Sequence, residues 1–141
     1  MDNLEKDAHF RKGTLTLCYL LSQADGEMTD DEVKAFELFK SHEGLSDSMY
    51  NSIINNLEAR NYEEIYAIGL GEIKHCDKSD QVKCLAWMNK VANADGYVNA
   101  DEWSLIYKVY SKELGLSIGD ILDFQLPKIE NSLFSKRKLP K

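Results

Sequence analysis

The chain has 141 residues, of which 43% are hydrophobic and 29% charged, with only two prolines and eight glycines. That is ordinary globular composition for one domain, with little room for linkers. The net charge is −7, and because Lys136, Arg137, Lys138 and Lys141 crowd the last six positions, the body carries 13 basic against 24 acidic side chains. So acidic a body repels nucleic-acid phosphates, and no apolar run approaches the roughly 20 residues of a membrane span.

Apolar residues recur every three or four positions, and no stretch alternates with period two, so the expected fold class is all-α. The first helix is expected from about Leu4 to Ala24, with Gly13 a candidate break and Leu17, Leu21 and Ala24 on one side. Thr29 and Glu32 form a capping box that opens a second helix, with Val33, Phe36 and Phe39 read as its core face and Gly44 as its end. Ser46 caps a third helix through Met49, Ile53, Ile54 and Leu57. A second capping box, Asn61 with Glu64, begins a fourth that contains Tyr62, Ile65, Tyr66, Ile68, Ile73 and the pair Gly69 and Gly71.

The fifth helix is expected from Ser79 or Asp80, with Leu85, Met88, Val91 and Ala92 inward. Asn99 and Glu102 make a third capping box, and the sixth helix runs to Gly115 with Trp103, Ile106, Tyr107, Tyr110 and Leu114 on one face. A seventh follows Ser117, and Pro127 ends it or starts a further turn. These boundaries give a single domain over residues 1–135 and a basic, fraying tail over 136–141.

The chain also repeats itself. Ala24-Asp25-Gly26 followed by Glu32 returns 70 residues later as Ala94-Asp95-Gly96 followed by Glu102. The same offset pairs Leu21 with Val91, Met28 with Val98, Asp31 with Asp101, Phe36 with Ile106 and Phe39 with Val109. With one inserted residue, Leu45-Ser46 also matches Leu116-Ser117. A compact bundle of about seven helices, built from two related helical-hairpin halves, is the expectation.

Asp25 and Asp95 stand at helix C-terminal ends, where the backbone carbonyls disfavour a carboxylate by roughly 0.3–1 kcal/mol. A cation, a backbone amide or a neighbouring lysine are the candidates to offset that cost. One reading is structural: glycine as a left-handed cap, aspartate accepting turn amides, glutamate completing the capping box. The other compares the turn with an EF-hand, whose loop positions five, six, eight and twelve it matches. The leading positions are Leu21 and Gln23 in one copy and Val91 and Asn93 in the other, so a full calcium loop is excluded. Half a site remains in each copy: Asp25 with Glu32, and Asp95 with Glu102, in a patch thickened by Glu27, Asp30, Asp31 and Asp101. Oxygen ligands alone suit calcium, magnesium or manganese better than zinc.

The duplicated Ala-Asp-Gly with a glutamate six residues after the glycine resembles the TerB-like family, which includes tellurite-resistance proteins and the N-terminal region of the co-chaperone DjlA. The resemblance spans about Leu15 to Leu122. It implies an all-helical bundle of two related halves, a divalent-metal site at Asp25, Glu32, Asp95 and Glu102, and a bacterial stress-response setting. The rival expectation is a protein-interaction module whose acidic face docks a basic partner.

His75, Cys76 and Cys84 lack Cys-x-x-Cys spacing and a fourth ligand, and are read as core or surface positions. Trp87, Trp103, Tyr107 and Tyr110 are read as core. No phosphate loop, nucleophile elbow or zincin helix is present, so the expectation is a non-enzymatic protein. With an odd cysteine count and no apolar signal region, the expected compartment is the cytoplasm.

Overall fold

A 21-residue helix, α1 (Asn3–Gln23), forms the axis of the computed structural model, which describes residues 3–23, 28–94, 96 and 98–122. From Gly13 to Cys18 every residue of α1 is buried, as are Leu20, Leu21 and Ser22. A helix apolar all round belongs inside a bundle rather than on its surface. It packs mainly against α4 (Tyr62–Lys74) and α5 (Lys78–Ala92). The second central helix is α5, which buries Val82, Cys84 to Met88, Val91 and Ala92 and touches α1, α2 (Asp30–His42), α4, α6 (Ala100–Tyr107) and α7 (Ile118–Leu122). With α3 (Asp47–Glu58) these are seven α-helices, and there is no strand among the described residues.

The three capping boxes form as the sequence dictates, and Ser46 caps α3 by accepting from the Met49 amide at 3.1 Å. Gly44 and Gly115 end their helices at φ +74° and +67°, the left-handed region that costs glycine nothing. Four expectations need correction. The first helix is unbroken at Gly13. The fifth starts at Lys78, one or two residues before Ser79 or Asp80, because Asp77 accepts the free amide of Asp80 at 3.0 Å. Val33 is 42% exposed, and the inward positions of α2 are Glu32, Ala35, Phe36 and Phe39. The sixth helix changes character after Tyr107, continuing as a π-helical turn over Lys108–Glu113.

Across that wider turn the offset of the sequence repeat changes by one residue. Phe39 and Val109, both buried, match at an offset of 70, whereas Leu45 and Leu116, also both buried, match at 71. A π-turn lets a helix take in one residue while the positions beyond it keep their facing. The burial order along α2 and α6 agrees accordingly: Glu32 with Glu102, Ala35 with Leu105, Phe36 with Ile106. Tyr66 from α4 anchors the π-turn by donating to Glu113 Oε2 at 3.1 Å, and Lys74 Nζ lies 3.4 Å from Oε1.

Two glycines set the α1–α4 distance. A Cβ on Gly13 would stand 2.7 Å from Ile73, and one on Gly69 would stand 2.8 Å from Leu17, both fully buried partners. Gly69 is therefore tolerated within α4 because a backbone must approach there. Gly69→Val is expected to lower the unfolding free energy by about 2 kcal/mol through overpacking, read as an earlier midpoint in urea. An unchanged midpoint would show that α4 slides freely on α1. Pro127, Leu133, Phe134 and the basic tail lie outside the described residues, and among those described no helix is long and apolar enough to cross a membrane.

Candidate functional site

The starts of α2 and α6 carry the same construction. Thr29 has extended backbone (φ −77°, ψ 165°), its Oγ1 accepts from the Glu32 amide at 3.1 Å, and Glu32 Oε1 accepts from the Thr29 amide at 2.9 Å. At α6, Asn99 Oδ1 accepts from the Glu102 amide at 2.8 Å and Glu102 Oε1 from the Asn99 amide at 3.1 Å. A capping box satisfies two amides that a helix start otherwise leaves to water. Asp30 and Asp31 in the first turn of α2, and Asp101 in that of α6, add charge where the helix dipole favours it.

A third box allows a comparison. Asn61 and Glu64 at the start of α4 make the same two hydrogen bonds, at 2.8 and 3.1 Å, yet Glu64 is exposed. Glu32 and Glu102 are 1% and 3% exposed. Closing the box does not require burying the glutamate, and burying a carboxylate costs several kcal/mol unless polar partners surround it. The two buried glutamates are the ones the sequence repeat pairs with Asp25 and Asp95. Those two aspartates, with Glu27, lie outside the described residues. Among the described residues, no group of three or more His, Cys, Asp or Glu side chains is arranged to hold a metal ion.

A family model described as tellurite resistance protein TerB matches residues 11–124. The chain belongs to the TerB family. No curated protein and no solved structure matches the chain. The match to TerB takes in both acidic turns and every described helix except the first turns of α1.

In this TerB-family chain the other candidates separate by burial. Cys18 and Cys84 are buried in the core, and desolvation pushes both thiols up, Cys84 to about 12. Thiols buried in this way are of the structural rather than the reactive kind. Cys76 is buried and His75 exposed. Trp87 and Tyr110 are core as expected, but Trp103 and Tyr107 are 43% and 44% exposed. They fall on the outer side of α6 because Glu102, Leu105 and Ile106 take the inner one. Tyr107 packs edge-on to Tyr110 at 5.5 Å. Exposed Tyr62 lines a groove of about 350 Å³ with Asp101, Ser104 and Lys108. Burial and then the Asp101 charge raise the Tyr62 phenol above its ordinary value.

Sequence reasoning missed a polar junction at the end of α2. Glu43 accepts from Trp87 Nε1 at 3.1 Å and from Lys83 Nζ at 3.1 Å, while its backbone carbonyl accepts from Arg11 at 3.4 Å. These partners lie 44, 40 and 32 positions away. No local pattern announces them.

Proposed function

We propose that this protein is a non-enzymatic TerB-family module that binds or senses divalent cations through its paired acidic helix-turn-helix loops. The burial of Glu32 and Glu102 carries the reading, since the exposed Glu64 shows that capping alone does not call for it. The residues suited to a hard cation are Asp25 with Glu32 and Asp95 with Glu102, an oxygen-only set that favours calcium, magnesium or manganese. In each glutamate Oε1 accepts from the N-cap amide, which fixes where the carboxylate stands at the helix start. The match to a tellurite-resistance family is what supports a stress-response setting.

Calorimetric titration of the metal-free protein with calcium, magnesium, manganese and zinc is the test. The expected result is a binding heat and a raised melting temperature with at least one oxygen-seeking ion, both lost in Asp25→Asn with Asp95→Asn. No heat and no shift at millimolar metal would sink the reading.

A second reading has its own observation. Trp103, Tyr107 and Tyr62 are exposed aromatic side chains, and Tyr62 shares a groove with the acidic Asp101. Aromatic residues beside carboxylates suit a basic peptide or protein partner, to which the acidic face would dock. Capture of such a partner from metal-free lysate, abolished by reversing charge at Asp30 and Asp101, favours docking over cation binding.

A further inference from the structure

We infer that the groove between α1, α3 and α4 is a binding site for a small anion of the phosphate class. It has a volume of about 410 Å³ and is lined by His9 and Lys12 of α1, Asn56 of α3, Arg60 just beyond it, Gly71 of α4 and His75, the residue that caps the end of α4. A chain of net charge −7 here presents four cationic or protonatable side chains, and among the described lining residues one carboxylate, Glu72. That carboxylate is engaged: His9 Nδ1 lies 2.6 Å from Oε1 and Lys12 Nζ 3.6 Å from Oε2. It holds the His9 ring and the Lys12 ammonium in place and leaves the other His9 nitrogen for a ligand. The His9 and His75 rings stack at 4.6 Å with planes 19° apart, so both imidazoles edge the same space. Arg60 is steadied by donating to Asn56 Oδ1 at 3.4 Å.

Gly71 is the second, independent observation. A glycine within a helix is less stable than alanine there, and Gly69 two residues earlier is explained by the approach of Leu17. Gly71 has no such reason, because nothing lies within 4 Å of where its Cβ would stand. Ala67 and Gly71, one turn apart on α4, and His75 at its C-cap, four residues further on, lie along the groove. The missing side chain keeps a notch open beside the backbone, which is what glycine provides where a ligand approaches closely. Guanidinium and ammonium groups with imidazole donors are the usual partners of phosphate oxygens, and the volume suits a small molecule rather than a polymer.

The test is an NMR titration of metal-free protein with inorganic phosphate and with glycerol 3-phosphate, at constant ionic strength, against chloride. Expected are saturable shifts of the His9 and His75 ring signals and the Gly71 amide. Saturation by glycerol 3-phosphate alone would assign the site to a phosphate monoester, and by both to phosphate itself. Arg60→Gln should weaken affinity about tenfold, the loss of one charge-assisted hydrogen bond. Gly71→Ala should raise the melting temperature while weakening phosphate binding, a pairing that a purely structural role would not produce. Identical shifts with chloride, no saturation, or unchanged affinity in both variants would overturn the assignment. Asp25→Asn with Asp95→Asn leaves this binding intact, so its failure and that of the cation reading are separable.

Discussion

Glu43→Ala is expected to lower the unfolding free energy by about 3 kcal/mol and the melting temperature by about 10 °C. Glu43 is the C-cap residue of α2, and its carboxylate, 9% exposed, joins α2 to α5 through Lys83 and the Trp87 indole. Trp87 is wholly buried, so truncating Glu43 strands an indole N–H away from water. It also leaves Lys83, 26% exposed and 4.8 Å over the Phe10 ring, without its counter-charge. Deleting one partner of such a network costs far more than the network's net worth, because what remains has been desolvated for nothing. The check is thermal unfolding beside Glu37→Ala, whose exposed carboxylate pairs with Lys40 at 3.4 Å and whose loss should leave the midpoint within error. A Glu43→Ala midpoint no lower than that of Glu37→Ala would show that the junction adds nothing to stability. A double-mutant cycle with Lys83→Ala then isolates the ion-pair share from the indole hydrogen bond.

What the sequence made legible is what a few neighbouring residues decide. Thr29 with Glu32, Asn61 with Glu64 and Asn99 with Glu102 announce helix starts because the hydrogen bonds concerned span three positions. Gly44 and Gly115 announce ends because only their own φ is at stake. Periodicity finds the inward stripe of α2 but shifts it: Val33 belongs inside by its chemistry, whereas the core takes Glu32, which an apolar count assigns to water. Burial of a carboxylate is decided by what surrounds it in space, not by its neighbours in the chain. The same holds for Trp103 and Tyr107, apolar enough for the core yet turned outward by the inner row of α6. The π-turn is partly visible, since the change of offset from 70 to 71 requires one residue to be absorbed between Val109 and Leu116. Of the four carboxylates assigned to a cation site, the structure describes Glu32 and Glu102; Asp25 and Asp95 lie outside the described residues.

The two buried glutamates can be made to separate capping from charge. Glu32→Ala and Glu102→Ala are each expected to cost about 2 kcal/mol, since each removes a buried acceptor from an N-cap amide, whereas Glu64→Ala, exposed, should cost under about 1 kcal/mol. Glutamine keeps the shape and the acceptor oxygen and serves a capping box as glutamate does, so Glu32→Gln with Glu102→Gln should unfold close to the parent when metal is absent. Removing two buried charges can even raise stability, because the desolvation of each carboxylate disappears with it. Under the cation reading the same double variant loses its metal-induced rise in melting temperature, since an amide oxygen is a poorer ligand than a carboxylate for calcium or magnesium. A glutamine pair that keeps both its metal-free stability and its metal response would leave Glu32 and Glu102 as caps alone. One that is severely destabilised without metal would instead show that the charge itself is structural, held by the polar groups around each helix start. Only retained stability with an abolished metal response puts the function on the carboxylates, and the variant needs no more than two thermal scans to report it.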